Sequence, residues 1–520
     1  MVIVGSDGPP PPKRAKPTTS AGCLLTGALA RHVMGYLRDA TDVKRFLQVL
    51  PRLRDDAPLQ SLLALLQRVH DPSIIWPIAS LSDLYAPSAS CASASSSSNL
   101  RASAGLDRLV QSALPLLRQL QVNAFIATPP LARYVPLMAN TTISALLGDL
   151  RDFEATYGLW APHITSLSVT DPTCETWPHL CRTLALCPRL QSLTYFVWRG
   201  SETYRHVKMD VSWFAAYMMT QSSLATVHLT GLPLTTEAAA SVGDALLSSS
   251  TMTTLNVHEM PQLLCALGAA TLSLSPQLTS LHITAVDYHA ADNIASVALK
   301  LQTSRVRTLE VRTVALCNLT RAATALATAP MLQSLTLVNG VLGDLTPLRS
   351  LRHLHLSSMR LSRRAITAIA HLMATSECLV SVKLDNCYHD QHDDKTSPFL
   401  ALTAAMPVFF GRAGQALAMS VHDVAVAAGL TSAMHKMSTS TTATLELHAT
   451  ALPMTALRDL VSAITCGTTL RLVVRTPASA EALLAHATRL QLRAAKKPMY
   501  EWHFGRPVPD IKYQVACSRC

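Results

Sequence analysis

Aromatic residues make up only 5% of this 520-residue chain and charged residues only 15%, against 49% hydrophobic residues. So few charges and so much aliphatic mass exclude a chain disordered throughout, which needs the opposite balance. No uninterrupted apolar run reaches the roughly 18 to 20 residues of a membrane helix; the nearest, residues 399–430, is broken by Arg412, His422 and Asp423. The first residues, Met1-Val-Ile-Val-Gly-Ser6, lack the charged flank and apolar stretch of a secretion signal. The 12 cysteines show no paired spacing, and the two observations together predict a reducing, intracellular setting with free thiols. The net charge of +11 is scattered, without the basic stripe and interleaved aromatics that nucleic-acid binding requires, so no nucleic-acid partner is expected.

Enzyme signatures are missing as well. Gly22 and Gly27 have phosphate-loop spacing but are followed by Ala28-Leu29 instead of Lys and Ser or Thr. His258-Glu259 has no second histidine at the spacing of a helical zinc site. No nucleophile elbow or dinucleotide fingerprint occurs. Cys387, His389, His392 and Asp394 form the densest group of metal-capable side chains, but they occupy a strand-to-helix loop where polar residues belong. Cys517-Ser-Arg-Cys520 is half a zinc site at most. The expectation is a chain without catalysis, cofactor or metal.

What the chain does contain is a repeated phrase. Leu332-Gln-Ser-Leu-Thr-Leu337, Leu278-Thr-Ser-Leu-His-Ile283, Leu190-Gln-Ser-Leu-Thr-Tyr195 and Leu351-Arg-His-Leu-His-Leu356 all place apolar residues at positions one, four and six. Position four falls at residues 167, 193, 227, 255, 281, 309, 335, 354 and 382, mostly 26 to 28 residues apart. Alternation at positions four and six describes a strand with one buried face. Helical stretches such as Arg363–Ala374 lie between the strands. The pattern resembles leucine-rich repeats of the ribonuclease-inhibitor type, which implies an α/β solenoid of horseshoe form. The Asn or Cys usual three residues past position six is present only as Cys387; Pro172, Leu232, Met260, Val286, Val314 and Met359 hold that place elsewhere.

Ahead of the repeats the periodicity is helical. Leu25, Leu29, Val33, Tyr36 and Leu37 form one face, Asp39-Ala-Thr-Asp42 supplies a turn and cap, and Phe46 and Leu47 continue on a second helix. This segment resembles an F-box-like module, although Cys23-Leu-Leu stands where a Leu-Pro opening is usual and the later Cys and Trp spacing is absent. The combination is similar to F-box-like repeat proteins of water moulds. The resemblance implies a substrate-recruiting subunit of a cullin–RING ubiquitin ligase, with the seven residues just named contacting the adaptor protein. The other reading is a helical cap that shields the first repeat, as solenoids require.

The expected division is a basic, Pro-rich disordered tail over residues 1–20, the helical module over 21–85, a Ser/Ala-rich linker over 86–105, the solenoid over 106–510 and a tail over 511–520. Lys13-Arg-Ala-Lys16 resembles a nuclear import signal, so the cytoplasm or nucleus is expected. With positions four and six buried, positions three and five face the concave surface. His228, Asn256, His282, Glu310, His355 and Lys383 at position five, with Arg352 and His353 at positions two and three, are the candidates for holding a protein partner. The bland reading of this row is solvated strand residues.

Overall fold

The computed structural model describes residues 29–499 apart from 35, 51–55, 70, 86–95, 124–129, 172–173, 198–210, 288, 390–396, 413 and 438–441, together with 502–503, 506–507 and 512–519. The import signal, Leu25, His392, Asp394 and the expected 1–20 tail lie outside the described residues. The chain divides into two compact units, one of residues 1–169 and 182–190, the other of 170–181 and 191–520.

In the first unit, a helix over residues 29–34 is followed by Ala40–Val49 and Ala57–Arg68. Asp39 caps the second of these by accepting from the Thr41 and Asp42 amides, and Asp56 caps the third by accepting from Leu59 N. Val43, Leu47, Leu59, Leu62, Leu65 and Leu66 are buried between the helices. The Trp76 indole donates to Leu37 O at 2.7 Å and ties the end of the module back to its start. Strands β1 (Ala79–Ser80), β2 (Gln119–Asn123), β3 (Thr142–Leu147) and β4 (Ile164–Asp171) pair in parallel. The helical module therefore supplies the first strand of the repeat sheet and is continuous with it. The expected linker is shorter than its Ser/Ala composition implies, because a helix, Ser96–Ala113, begins inside it. Val110 and Ala113 on that helix are buried, and an apolar face overrides flexible composition.

The second unit carries the clear array. Its strands are β5 (Ser192–Val197), β6 (Thr226–Thr230), β7 (Thr254–His258), β8 (Ser280–Ala285), β9 (Thr308–Asn318) and β10 (Ser334–Leu342). Then follow β11 (His353–Ser357), the short β12 (Arg360–Leu361), β13 (Ser381–Asp385) and the short β14 (Tyr388–His389). The last are β15 (Gln415–Ser420), β16 (Ala443–His448), β17 (Thr468–Val474), β18 (Arg493–Met499), the small hairpin β19 (Trp502–His503) and β20 (Arg506–Pro507), and β21 (Lys512–Ser518). The position-four residues stand side by side in one register: Leu193, Val227, Leu255, Leu281, Leu309, Leu335, Leu354, Val382, Leu417, Leu445 and Leu470. All are buried. Helices such as Thr236–Ser248, Ala290–Lys300 and Arg363–Thr375 connect successive strands and pack on their neighbours in sequence order. This is a leucine-rich-repeat type of α/β solenoid. The short step from 335 to 354 has no helix between β10 and β11.

One correction concerns the C-terminal end. The sheet is closed by β21, which pairs antiparallel with both β17 and β18. Residues 512–518 are thus a strand rather than a tail. Val515 and Cys517 point into the core on alternate positions, and burial pushes the Cys517 thiol up to about 11, which suits packing and not metal binding.

The turns explain how the repeats do without an Asn ladder. Two residues past position six, the chain adopts a left-handed conformation at Gly231, Glu259, Asn339, Ser358 and Asn386, with φ of 68°, 57°, 60°, 53° and 49°. That bend turns the amide of the left-handed residue toward the next repeat. Gly231 N donates to His258 O at 3.0 Å, Glu259 N to Thr284 O at 2.8 Å and Ser358 N to Asp385 O at 2.8 Å. Main-chain donors thus satisfy carbonyls that an Asn side chain would otherwise serve. Asn339 does act through its side chain, donating from Nδ2 to Thr313 O and Val314 O at 2.7 Å. The place one residue later is free to be apolar, and Leu232, Met260 and Met359 are buried there. Cys387, the single match to the usual pattern, donates from Sγ to Leu356 O at 3.3 Å. A left-handed, non-glycine residue is strained by about 1–2 kcal/mol. Ser358→Gly should raise the thermal midpoint slightly, whereas Ser358→Val should lower stability by about 1–2 kcal/mol; equal midpoints for the two variants would contradict this account of the turn.

Candidate binding face

The side chains not used for the core line up on the open face of the strands. Each strand alternates buried and half-exposed residues, and the half-exposed ones fall at positions three, five and seven. Register makes position five a continuous row: His228, Asn256, His282, Glu310, Thr336, His355, Lys383, Ala418, Glu446 and Arg471. Position seven adds His258, Arg312, Asp385 and His448, which reading positions three and five alone passes over. The signal for them was the same alternation carried one step further along each strand. His353 and Arg352 are exposed, and the Arg352 carbonyl accepts from Val380 N and Ser381 N, so its backbone holds the register.

Three carboxylates on this face share one arrangement. Each is bridged by one imidazole and one permanent cation. Glu310 accepts from His282 Nδ1 at 3.0 Å and is paired with Arg312 Nε. Asp385 meets His355 Nε2 at 3.2 Å and Lys383 Nζ at 2.8 Å. Glu446 lies 3.4 Å from His448 Nε2 and 3.8 Å from Arg471 Nη1. Burial raises the proton affinity of Glu310 and Asp385, but hydrogen bonds from Arg312 and His282, and from His355 and Lys383, outweigh it and hold both below the usual carboxylate range. Glu446 is lowered chiefly by the hydrogen bond with His448. Each of the three carboxylates is therefore neutralised within the face itself.

A cleft of about 360 Å³ on this face is lined by His228, Asn256, His258, His282, Glu310 and Arg312. His282 Nδ1 lies 3.0 Å from Glu310 Oε2, and its Nε2 lies 2.8 Å from the Ser280 hydroxyl. His228 Nε2 meets Thr230 Oγ1 at 3.2 Å, and the His228 and His258 ring centroids are 6.4 Å apart. Asn256 Oδ1 is buried without a hydrogen-bond partner among the described residues. Among the described residues no group of His, Cys, Asp and Glu is arranged to hold a metal ion.

The expected adaptor-binding residues separate into two sets. Leu29 and Tyr36 are 63% and 75% exposed, and Val49 and Ile78 further along the same module are exposed too. Val33, Leu37 and Phe46 are half-buried. Leu47 is fully buried and serves the module's own core, because the helix turns that face toward Ala57–Arg68; it is not available to an adaptor. No helix among the described residues is long and apolar enough to cross a membrane.

No protein-family model matches the chain, and no curated protein sequence matches it. Among solved structures it is similar to the yeast Rad7–Elc1 complex, at 13% identity over 83% of this chain and 94% of that chain, with a TM-score of 0.35. It is also similar to the TLR13–ssRNA13 complex, at 13% identity over 70% of this chain and 65% of that chain, with a TM-score of 0.26.

His228 gives the face a pH signature. Burial, then the neighbouring His258 and His282, lower its proton affinity. Its contribution to stability is present above the unfolded value near 6.5 and is lost as pH falls through the lower folded value. The thermal midpoint should fall between pH 7 and pH 5 by more in the parent than in His228→Asn; parallel pH profiles would show that the imidazole is not held neutral.

Proposed function

We propose that this protein is a non-catalytic receptor, whose open strand face holds a protein partner and whose N-terminal module docks a cullin–RING ligase adaptor. The observation that carries the reading is the continuous, in-register row of polar side chains on a rigid parallel sheet. Such a row offers many weak, shape-dependent contacts and no reaction centre, which suits recognition of a folded surface or extended peptide. The adaptor half rests on the F-box-like pattern of the first helices together with the exposure of Leu29 and Tyr36. Action in the nucleus or cytoplasm belongs to the same proposal.

A second reading is favoured by the burial of Val43, Leu47, Leu62 and Leu65 and by the pairing of β1 with β2. On that reading the helices only cap a repeat scaffold. The two differ in what the exposed residues do. Full-length protein should retain purified ligase adaptor in a pull-down, and Leu29→Asp with Tyr36→Ala should weaken retention at least about tenfold, as expected for hot-spot anchors. Retention unchanged by the double substitution, or no retention by the folded parent, would leave the cap reading standing.

A further inference from the structure

The cleft between β6 and β9 has donors left over and acceptors spent. Glu310 is its central acid, and it is already engaged by His282 and by Arg312 Nε. The Arg312 side chain is 55% exposed, so its terminal guanidinium nitrogens remain to meet an incoming acceptor. Asn256 also lines the cleft, with its Oδ1 buried and without a hydrogen-bond partner among the described residues. The groups around His228 are Thr194 on β5, Thr230 on its own strand, Asn256, His258 and Glu259 from β7 and its turn, His282 and Thr284 on β8, and Glu310 and Arg312 on β9. Glu259 lies 3.9 Å from His258 Nδ1.

With the three imidazoles neutral, these side chains carry two negative charges and one positive. One proton taken up cancels the net negative charge, and a second makes the cleft cationic. The room available, about 360 Å³, exceeds what one water or ion needs and accommodates a side chain with its adjoining backbone. The chain as a whole is basic at +11, which draws an acidic partner toward it.

We propose that this cleft anchors the carboxylate of an acidic segment of the protein partner, and that its seating is accompanied by proton uptake on the His228, His258 and His282 cluster. The proposal rests on the open strand face being the partner-binding surface. Arg312 receives the carboxylate, and the imidazoles supply charge only when protonated. Binding therefore strengthens as the pH falls below about 6.5, the range in which histidine changes charge. A segment bearing lysine gains nothing from the same change and is repelled.

The test uses the full-length chain and a fluorescein-labelled hexaglutamate peptide, followed by anisotropy at pH 6.0 and pH 7.5 in low salt. Uptake of about one proton predicts binding roughly tenfold tighter at the lower pH. His228→Asn should reduce that pH dependence to less than about twofold while the thermal midpoint at pH 7.5 is kept, with His258→Gln replacing it if it fails to fold, and Arg312→Gln should weaken binding at both pH values. Binding independent of pH, equal binding of hexalysine, or a pH dependence that survives the histidine substitution would overturn the proposal. Displacement by inorganic phosphate as effective as by unlabelled peptide would assign the cleft to a free anion and also overturn it. The Leu29 and Tyr36 double variant should bind hexaglutamate normally, so failure of the adaptor reading and failure of this one are told apart.

Discussion

Everything in the second unit depends on one constraint: the position-four and position-six side chains of each strand must meet those of the next repeat in a single register. Burial of aliphatic side chains is worth roughly 1.5–3 kcal/mol each, and a slip of one residue would turn the whole set outward. The register is what allows irregular connections. A 19-residue step without a helix and a 34-residue step both return the chain to the same row, from Leu193 to Leu470. Because the buried positions hold the fold, positions three, five and seven are released from structural duty along much of the sheet.

Freedom from structural duty does not mean freedom from one another. Each carboxylate at Glu310, Asp385 and Glu446 is flanked by a histidine and by an arginine or lysine. An unpaired acid on a half-buried strand would be costly, and a fixed cation plus an imidazole neutralises it without committing the face to a strong net charge. The imidazoles leave the charge adjustable. A face built this way favours selectivity through shape, and it places the response to acidity where His228, His258 and His282 cluster.

Most of the strand array was legible because Leu-x-x-Leu-x-Leu encodes burial directly. β15 was not, since Gln415-Ala-Leu-Ala-Met-Ser420 spends alanines where other repeats have polar residues, and the alternation is lost to the eye. β21 was hidden for another reason: it pairs antiparallel with β17 and β18 at the end of an otherwise parallel array, and its sequence lacks the repeated Leu-x-x-Leu-x-Leu phrase. The turn chemistry was misplaced by one residue, because the main chain rather than an Asn side chain satisfies the carbonyls, and a left-handed Glu259 or Ser358 carries no compositional flag. Of the face itself, His228, His282, Glu310, His355 and Lys383 were readable from spacing. Their grouping into acid, imidazole and cation was not, because Arg312 and Asp385 sit at position seven, Arg312 pairing with Glu310 along its own strand and Asp385 with His355 across strands.

The central claim is that the partner is held by the strand face and not by the helical layer. Site-specific photo-crosslinking tests it directly, with a benzoylphenylalanine placed in the full-length chain at Thr336 on the strand row or at exposed Thr324 on the helix Thr320–Leu326. The account predicts a discrete protein adduct from position 336 and none from 324. Adducts from 324 alone, or from neither position, would contradict it.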